Sequence, residues 1–295
     1  EYQSLYTQII RTSYNVSATN GRIFAGWRIW QTIKNVQDFD SLVDQEIRGE
    51  DFLWYTQVCF NDICSLMVSK PNCRGYYVIE DGSGSYRKEN KPTFTGIKGL
   101  IYHFLLKPLF PRLFIVKNHM IETEHHKFKG CIASNDMCFP LHKQYTRVIG
   151  IPFVPVPLAK VPDAIISIDP LFLWISQEDA EYLFQRLAAF VNNKGYKYIV
   201  YKHHPYNLSS AHINAHRQYN EWIKHYFTAN LQELDSQVSL ENTIMAHQCD
   251  FYTAVSSVAI YAKAMGVVCY SYMPIIREYA QVPIHIVEEL CIPIE

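Results

Sequence analysis

Tyr196-Lys197-Tyr198-Ile199-Val200-Tyr201-Lys202-His203-His204-Pro205 is the stretch on which the reading of this chain turns. The run from Tyr196 to Val200 reads as a buried strand that passes into Lys-His-His-Pro. The histidines are then expected just past its carboxyl end, the edge where open α/β sheets bind ligands. A second such run, Cys249 to Val255, leads into Ser256-Ser257, which opens an apolar-periodic helix through Met265 that Gly266 stops. Serines at a helix start offer hydroxyls and backbone N–H groups at the positive end of the dipole, a seat for phosphate. Singly, His-Pro after a strand is more often a turn, and Ser-Ser before a helix more often a cap. On neighbouring strand ends, the two together suggest the handling of a phosphate leaving group.

Around these signals the second half alternates. Ala164 to Ile168 reads as a strand, and Ser176 with Asp179 as a capping box for a helix through Asn192, closed by Asn193-Lys194-Gly195. After the strand at Tyr196 to Tyr201 come a polar helix through Phe227, a short helix at Leu240-Glu241-Asn242, the strand at Cys249, the helix from Ser257, and a strand at Val267 to Tyr270. Strand and helix in alternation specify a parallel, doubly wound α/β sheet.

Upstream, Ile151 to Asp163 carries Pro152, Pro155, Pro157 and Pro162 and reads as an extended connector. It sets the expected division into residues 1–155 and 156–295. In the first half, Ile23 to Ile33, Phe39 to Ile47 and Asn61 to Ser69 read as helices, and Phe114 to Val116 and Tyr145 to Ile149 as strands. Residues 1–58 show few strand signals. Gly75-Tyr76-Tyr77-Val78-Ile79 is a compact strand that runs into Glu80-Asp81-Gly82-Ser83-Gly84. Two carboxylates at a strand end, before a glycine-rich turn, suit general-base chemistry, and an exposed Asp-Gly turn is the competing reading.

Composition narrows the classes. The chain has 295 residues, 48% of them apolar, enough for two domains with a sizeable core. Its 27 basic and 28 acidic residues leave a net charge of -1, so no global field favours nucleic acid and an anionic ligand must be held locally. The eight cysteines form no C-x-x-C pair and read as reduced residues of a cytosolic protein. His212 and His216 have the spacing of a metal pair, and His125-His126 is a second cluster; without a convincing third ligand these read as surface histidines, and no metal is expected. The sequence opens at Glu1 without an initiator Met or a charged-then-apolar run, so no signal peptide is expected from it, and a fragment whose true start lies upstream is an open reading. Gly99 to Val116 is apolar but broken by His103, Lys107, Pro108, Pro111 and Arg112, which fits either a membrane-surface segment or a partly buried helix and turn.

The ordered set Glu80-Asp81-Gly82, Lys202-His203-His204-Pro205, Glu241 and Ser256-Ser257 resembles the bacterial sialyltransferases, whose acidic-acidic-Gly, His-Pro and serine-pair motifs follow in this order. Among them the chain is most similar to the lipooligosaccharide sialyltransferases and the capsular polysialyltransferases. The resemblance implies a GT-B-like fold, two Rossmann-like domains facing across a cleft, and an inverting, metal-independent transfer of sialic acid from CMP-sialic acid to a bacterial surface glycan. It implies Glu80 as the base, with Asp81 as neighbour, and His204 as the group that protonates or hydrogen-bonds the departing phosphate. Ser256 and Ser257 would hold that phosphate, and Glu241 the cytidine ribose, a first-turn acid that stabilises its helix dipole being the equal alternative. Gly82, Lys202, His203 and Pro205 would complete the CMP-sugar site; Lys202 could neutralise the phosphate or the sialic carboxylate, though a solvated lysine is the commoner case. No cofactor beyond the donor is implied, and the expected location is the cytoplasm, with peripheral association at the inner membrane face. The family has further strands before its acidic motif, so a truncated N-terminus is expected here. Competing readings are the same fold with CMP-Kdo or a UDP-hexose as donor, and a carbohydrate-binding protein without activity.

Overall fold

A computed structural model describes residues 26–57, 62–80, 82–86, 121–150, 154–282 and 287–294. These residues divide into two compact units, one made by the chain up to Glu80 with 121–148, the other by Gly82–Tyr86 with the chain from 149 onward. The fold is α/β with parallel sheets. The expected division at 155/156 thus stands beside an observed one at 148/149. Val156 N–H donates to Asn242 O (3.1 Å) and Leu158 N–H to His247 Nε2 (2.8 Å), so the later part of the proline connector is tied to the second unit.

The first unit contains α1 (Gly26–Ile47), β1 (Phe52–Thr56), α2 (Asp62–Ser69), β2 (Cys73–Ile79), β3 (Phe128–Ala133) and β4 (Thr146–Val148), with a parallel sheet in the order β1-β2-β3-β4. The two helices expected between Ile23 and Ile47 are one helix over the described span. Lys70, after α2, is buried and pairs with Asp40 (2.5 Å) and Asp44 (2.6 Å) of α1, a charge pairing that its burial requires. β1 and β3 were not expected. Only Thr56 of β1 is buried, so its apolar pattern reads weakly, and β3 has Gly130 at its centre. That glycine has φ +143°, and a Cβ there would stand 2.8 Å from Tyr145 O, so only glycine fits where the chain of β4 approaches. Phe114 to Val116 and the apolar segment 99–116 lie outside the described residues. Among the described residues no helix is long and apolar enough to cross a membrane.

The second unit alternates strictly: β5 (Ala164–Ile168), α3 (Gln177–Asn192), β6 (Tyr198–His203), α4 (Ile213–Tyr226), β7 (Asn230–Glu233), α5 (Leu240–His247), β8 (Asp250–Thr253), α6 (Val258–Ala264), β9 (Cys269–Ser271), α7 (Met273–Arg277) and β10 (Ile292–Pro293). α3 begins at the expected cap, Ser176, whose Oγ accepts from Asp179 N–H (3.2 Å) and donates to the Asp179 carboxylate (2.6 Å). All neighbours in the sheet are parallel, in the order β10-β9-β8-β5-β6-β7. β5 is buried along its whole length, as a central parallel strand covered on both faces must be. Ala164, Ile166 and Ile168 join the core with Leu183, Leu187 and Trp222 of α3 and α4, while Ile165 and Phe251, also buried, lie outside that cluster.

Strand order reverses between β5 and β8: from β5 the chain proceeds outward through β6 and β7, then returns to β8 on the other side and proceeds through β9 and β10. This is the doubly wound arrangement whose ligand crevice opens at the carboxyl ends of the two strands flanking the reversal.

Candidate functional site

The segments that leave β5 and β8 meet at this reversal. Asp169, one residue past β5, is 2% exposed, and its Oδ2 accepts from Ala254 N–H (2.9 Å), the Thr253 hydroxyl (3.1 Å) and the Tyr272 hydroxyl (2.9 Å). Burial pushes its carboxyl pKa above the ordinary value, with the three donors opposing that shift. Thr253 Oγ1 in turn accepts from Ser256 N–H (2.9 Å), so one hydroxyl passes the hold of Asp169 on to the turn that carries the serine pair. Neither Asp169, Thr253 nor Tyr272 was singled out from sequence. The Asp-Pro step directly after the β5 strand was the visible signal for the first.

Ser256 Oγ accepts from Val258 N–H (3.3 Å), whereas Ser257, at the N-cap of α6, makes no side-chain capping bond. Ala259 and Ile260 N–H groups bond to the carbonyls of Ser256 and Ser257 (3.1 and 3.0 Å). The expected row of free N–H donors is therefore largely taken up within the turn, a correction to the phosphate seat read from sequence. The Ser257 hydroxyl is left to face Gly82. Gly82 has φ +48°, and a Cβ on it would stand 3.2 Å from Ser257 Oγ. Two motifs far apart in sequence are thus in contact within the second unit, and the close approach admits no larger residue without a shift.

Strand β6 runs through Lys202 and His203, so these two lie inside the sheet and only His204 and Pro205 lie beyond its end, which falls two residues after the expected end at Tyr201. His204 is exposed, its N–H donates to Ile168 O (2.9 Å), and its Nδ1 accepts from Tyr206 N–H (3.2 Å). An accepting Nδ1 places the proton of a neutral imidazole on Nε2, where it can donate outward. Pro205 starts the 3-10 turn Pro205–Leu208, which buried Asn207 anchors by donating to Ile168 O (2.9 Å). His204 lies within electrostatic reach of Asp169, so the β6 end belongs to the same edge as the serine turn.

Lys202 Nζ donates to Val238 O, and burial lowers its pKa, opposed by the nearby Glu241 and Asp235 carboxylates. Glu241 accepts from the hydroxyl of Ser239 (2.7 Å), the cap of α5, so it serves the helix start as well as facing Lys202. His203 faces away from this group. Its ring is 2% exposed, bonds through Nε2 to Asn220 Oδ1 (2.9 Å), and lies within ligand distance of His216 and Glu233. Burial presses its pKa down to about 4. His216 therefore gathers with residues distant in sequence, not with His212, and these three residues form the set that could hold a metal ion among the described residues.

Glu80 belongs to the first unit, at the carboxyl end of β2. Its N–H donates to Ile132 O (3.0 Å), and its Oε2 accepts from Ser134 N–H (2.7 Å), which orients the carboxylate across the end of β3. Asp81 lies outside the described residues. The seven described cysteines, Cys64, Cys73, Cys131, Cys138, Cys249, Cys269 and Cys291, are free thiols.

No family model matches the chain, and no curated protein matches it. Solved structures with some likeness include S. aureus MnaA in a co-structure with UDP, 11% identical with a TM-score of 0.45, where the match covers 90% of this chain and 63% of that one. A glycosyltransferase from Rickettsia africae ESF-5 is 11% identical with a TM-score of 0.37, covering 82% of this chain and 62% of that one. The pneumococcal O-GlcNAc transferase GtfA, in complex with UDP and GlcNAc, is 10% identical with a TM-score of 0.29, covering 72% of this chain and 38% of that one. This chain thus spans less than two thirds of each of these structures, and at such TM-scores the likenesses carry no argument for function.

Proposed function

We propose that this protein is an inverting glycosyltransferase of GT-B type that moves sialic acid from CMP-sialic acid to a glycan of a bacterial surface polysaccharide or lipooligosaccharide. The observation that carries this reading is the meeting of Gly82, of the acidic-acidic-Gly motif, with Ser257, of the serine pair, at the strand-order reversal of the second sheet. A phosphate at that edge finds two kinds of donor. The Ser257 hydroxyl is unused in capping, and His204 holds its Nε2 proton outward. Both favour the leaving phosphate as charge develops on it, without a metal. The second unit is thereby assigned the donor nucleotide, with Lys202 and Glu241, which lie close to each other, as its further polar groups.

Glu80, on the first unit, is assigned the proton of the attacking acceptor hydroxyl, and Asp81 stands beside it in sequence. Transfer then breaks the bond from the anomeric carbon to the CMP phosphate, forms the bond to the acceptor oxygen on the opposite face, and leaves the proton on the Glu80 carboxylate. Cytoplasmic location, with peripheral association at the membrane face, goes with this reading because donor and nascent glycan meet there. The test is incubation with CMP-sialic acid and terminal galactosides or sialosides, with release of CMP and a sialylated product measured together. CMP release at the rate of buffer alone across acceptors, despite donor binding, would replace the enzyme by a non-catalytic binding protein.

A further inference from the structure

At the last residue of β6, three elements bring ring nitrogens and a carboxylate together. His203 comes from β6, His216 from α4 and Glu233 from β7, and their ligand atoms lie within 4.8 Å of one another. His203 and Glu233 also line a cavity of 410 Å³, with Leu208, Leu234, Asp235 and Ser236.

His216 Nε2 stands 3.1 Å from Glu233 Oε1, and Asn220 Nδ2 donates to Glu233 Oε2 (3.2 Å). A proton on His216 Nε2 therefore joins this imidazole to the carboxylate, and the cluster is held together by that one proton. A cation in its place would meet lone pairs of both imidazoles and of the carboxylate, with Asn220 still bonded to Glu233.

We propose that His203, His216 and Glu233 form a binding site for a divalent transition-metal ion of the zinc type, with its fourth position open to water from the adjacent cavity. Two imidazoles and one carboxylate, with no thiolate, are a donor set that zinc accepts. Ligand atoms of a tetrahedral site with bonds of about 2.1 Å stand about 3.4 Å apart, so closure needs a contraction of about an ångström that rotamer adjustment of His216 and Glu233 can supply. The ion would clamp α4 and the polar edge strand β7 onto β6. None of the three ligands is given a part in the proposed transfer chemistry, and the site does not depend on it.

The test uses the full-length, tag-free chain after chelator treatment, titrated with Co2+ by absorption and with Zn2+ by calorimetry. One equivalent should bind, Zn2+ should raise the melting temperature, and His216→Ala and Glu233→Gln should each weaken Co2+ binding by more than the roughly 10–100-fold typical of losing a supporting residue. Both positions are partly exposed, so the variants are expected to fold, with far-ultraviolet circular dichroism as the check. Absence of binding to the wild-type chain, binding unaltered in both variants, or a Co2+ spectrum dominated by thiolate charge transfer would overturn the site.

Discussion

Replacing Thr253 by Val tests whether Asp169 holds the serine turn through this one hydroxyl. Valine matches threonine in shape, so the fully buried site gains no cavity, and only the bonds of Oγ1 are removed. Asp169 loses one of its three donors, and Ser256 N–H loses the acceptor 2.9 Å away. Ser256 N–H is half-buried and reaches water in part, so its lost bond costs about 0.5–1.5 kcal/mol, and loss of a donor to buried Asp169 about 1–2 kcal/mol, for a total of about 1.5–3.5 kcal/mol. Against a typical stability of about 5–15 kcal/mol that is readily measured. Urea denaturation should show a lower midpoint at unchanged slope, and Thr253→Ser, which keeps the hydroxyl, should recover most of the loss. CMP affinity should fall in the same variant, because the Ser256-Ser257 turn loses its anchor. A stability change below about 0.5 kcal/mol, with CMP binding intact, would refute the proposed chain from Asp169 to the serines.

Gly82→Ala should destabilise by about 1–2 kcal/mol from its left-handed backbone alone, and further through the Ser257 contact; thermal melting of Gly82→Ala against Gly82→Asn, which tolerates that backbone, separates the two effects. Asp169→Asn tests the raised carboxyl pKa. A carboxyl whose folded value lies above its unfolded one stabilises most below the unfolded value, near 3.9, and loses that contribution as pH rises through the folded value. Urea midpoints between pH 4.5 and 7 should therefore move in favour of the Asn variant as pH rises, and movement toward wild type would reverse the assignment. Glu80→Gln should leave CMP-sialic acid affinity intact and lower turnover by roughly 10²–10⁴-fold, measured by CMP release. His204→Ala should lower both affinity and turnover, and should matter least for a donor with a better leaving group; near wild-type kinetics in both variants would end the transfer assignment.

The second unit was legible because its strands are buried on both faces and read as continuous apolar runs, and because Ser176 and Gly195 mark the ends of α3. What escaped were elements whose stability comes from neighbours. β7 is largely exposed and polar in composition, and forms because β6 offers it a row of backbone partners. Half-exposed β1 is the same case in the first unit. At the site, motif residues that punctuate strand ends stood out, whereas Asp169, Asn207, Thr253 and Tyr272 act by converging from separate strands and loops, which no local pattern records. The His203, His216 and Glu233 cluster was missed for a related reason. The spacing of His212 and His216 drew attention along one helix, while the actual neighbours of His216 come from two strands.

The central claim is that the carboxyl edge of the second sheet, where Gly82 meets Ser257, binds a cytidine monophosphate. The direct measurement is calorimetric titration of wild-type protein and of a Ser256→Ala/Ser257→Ala variant with CMP, CMP-sialic acid and UDP. CMP and CMP-sialic acid should bind the wild type with single-site isotherms, bind the double variant at least roughly tenfold more weakly, a change of about 1.4 kcal/mol, and outcompete UDP. Preference for UDP over CMP, or equal CMP affinity in the double variant, would contradict the account.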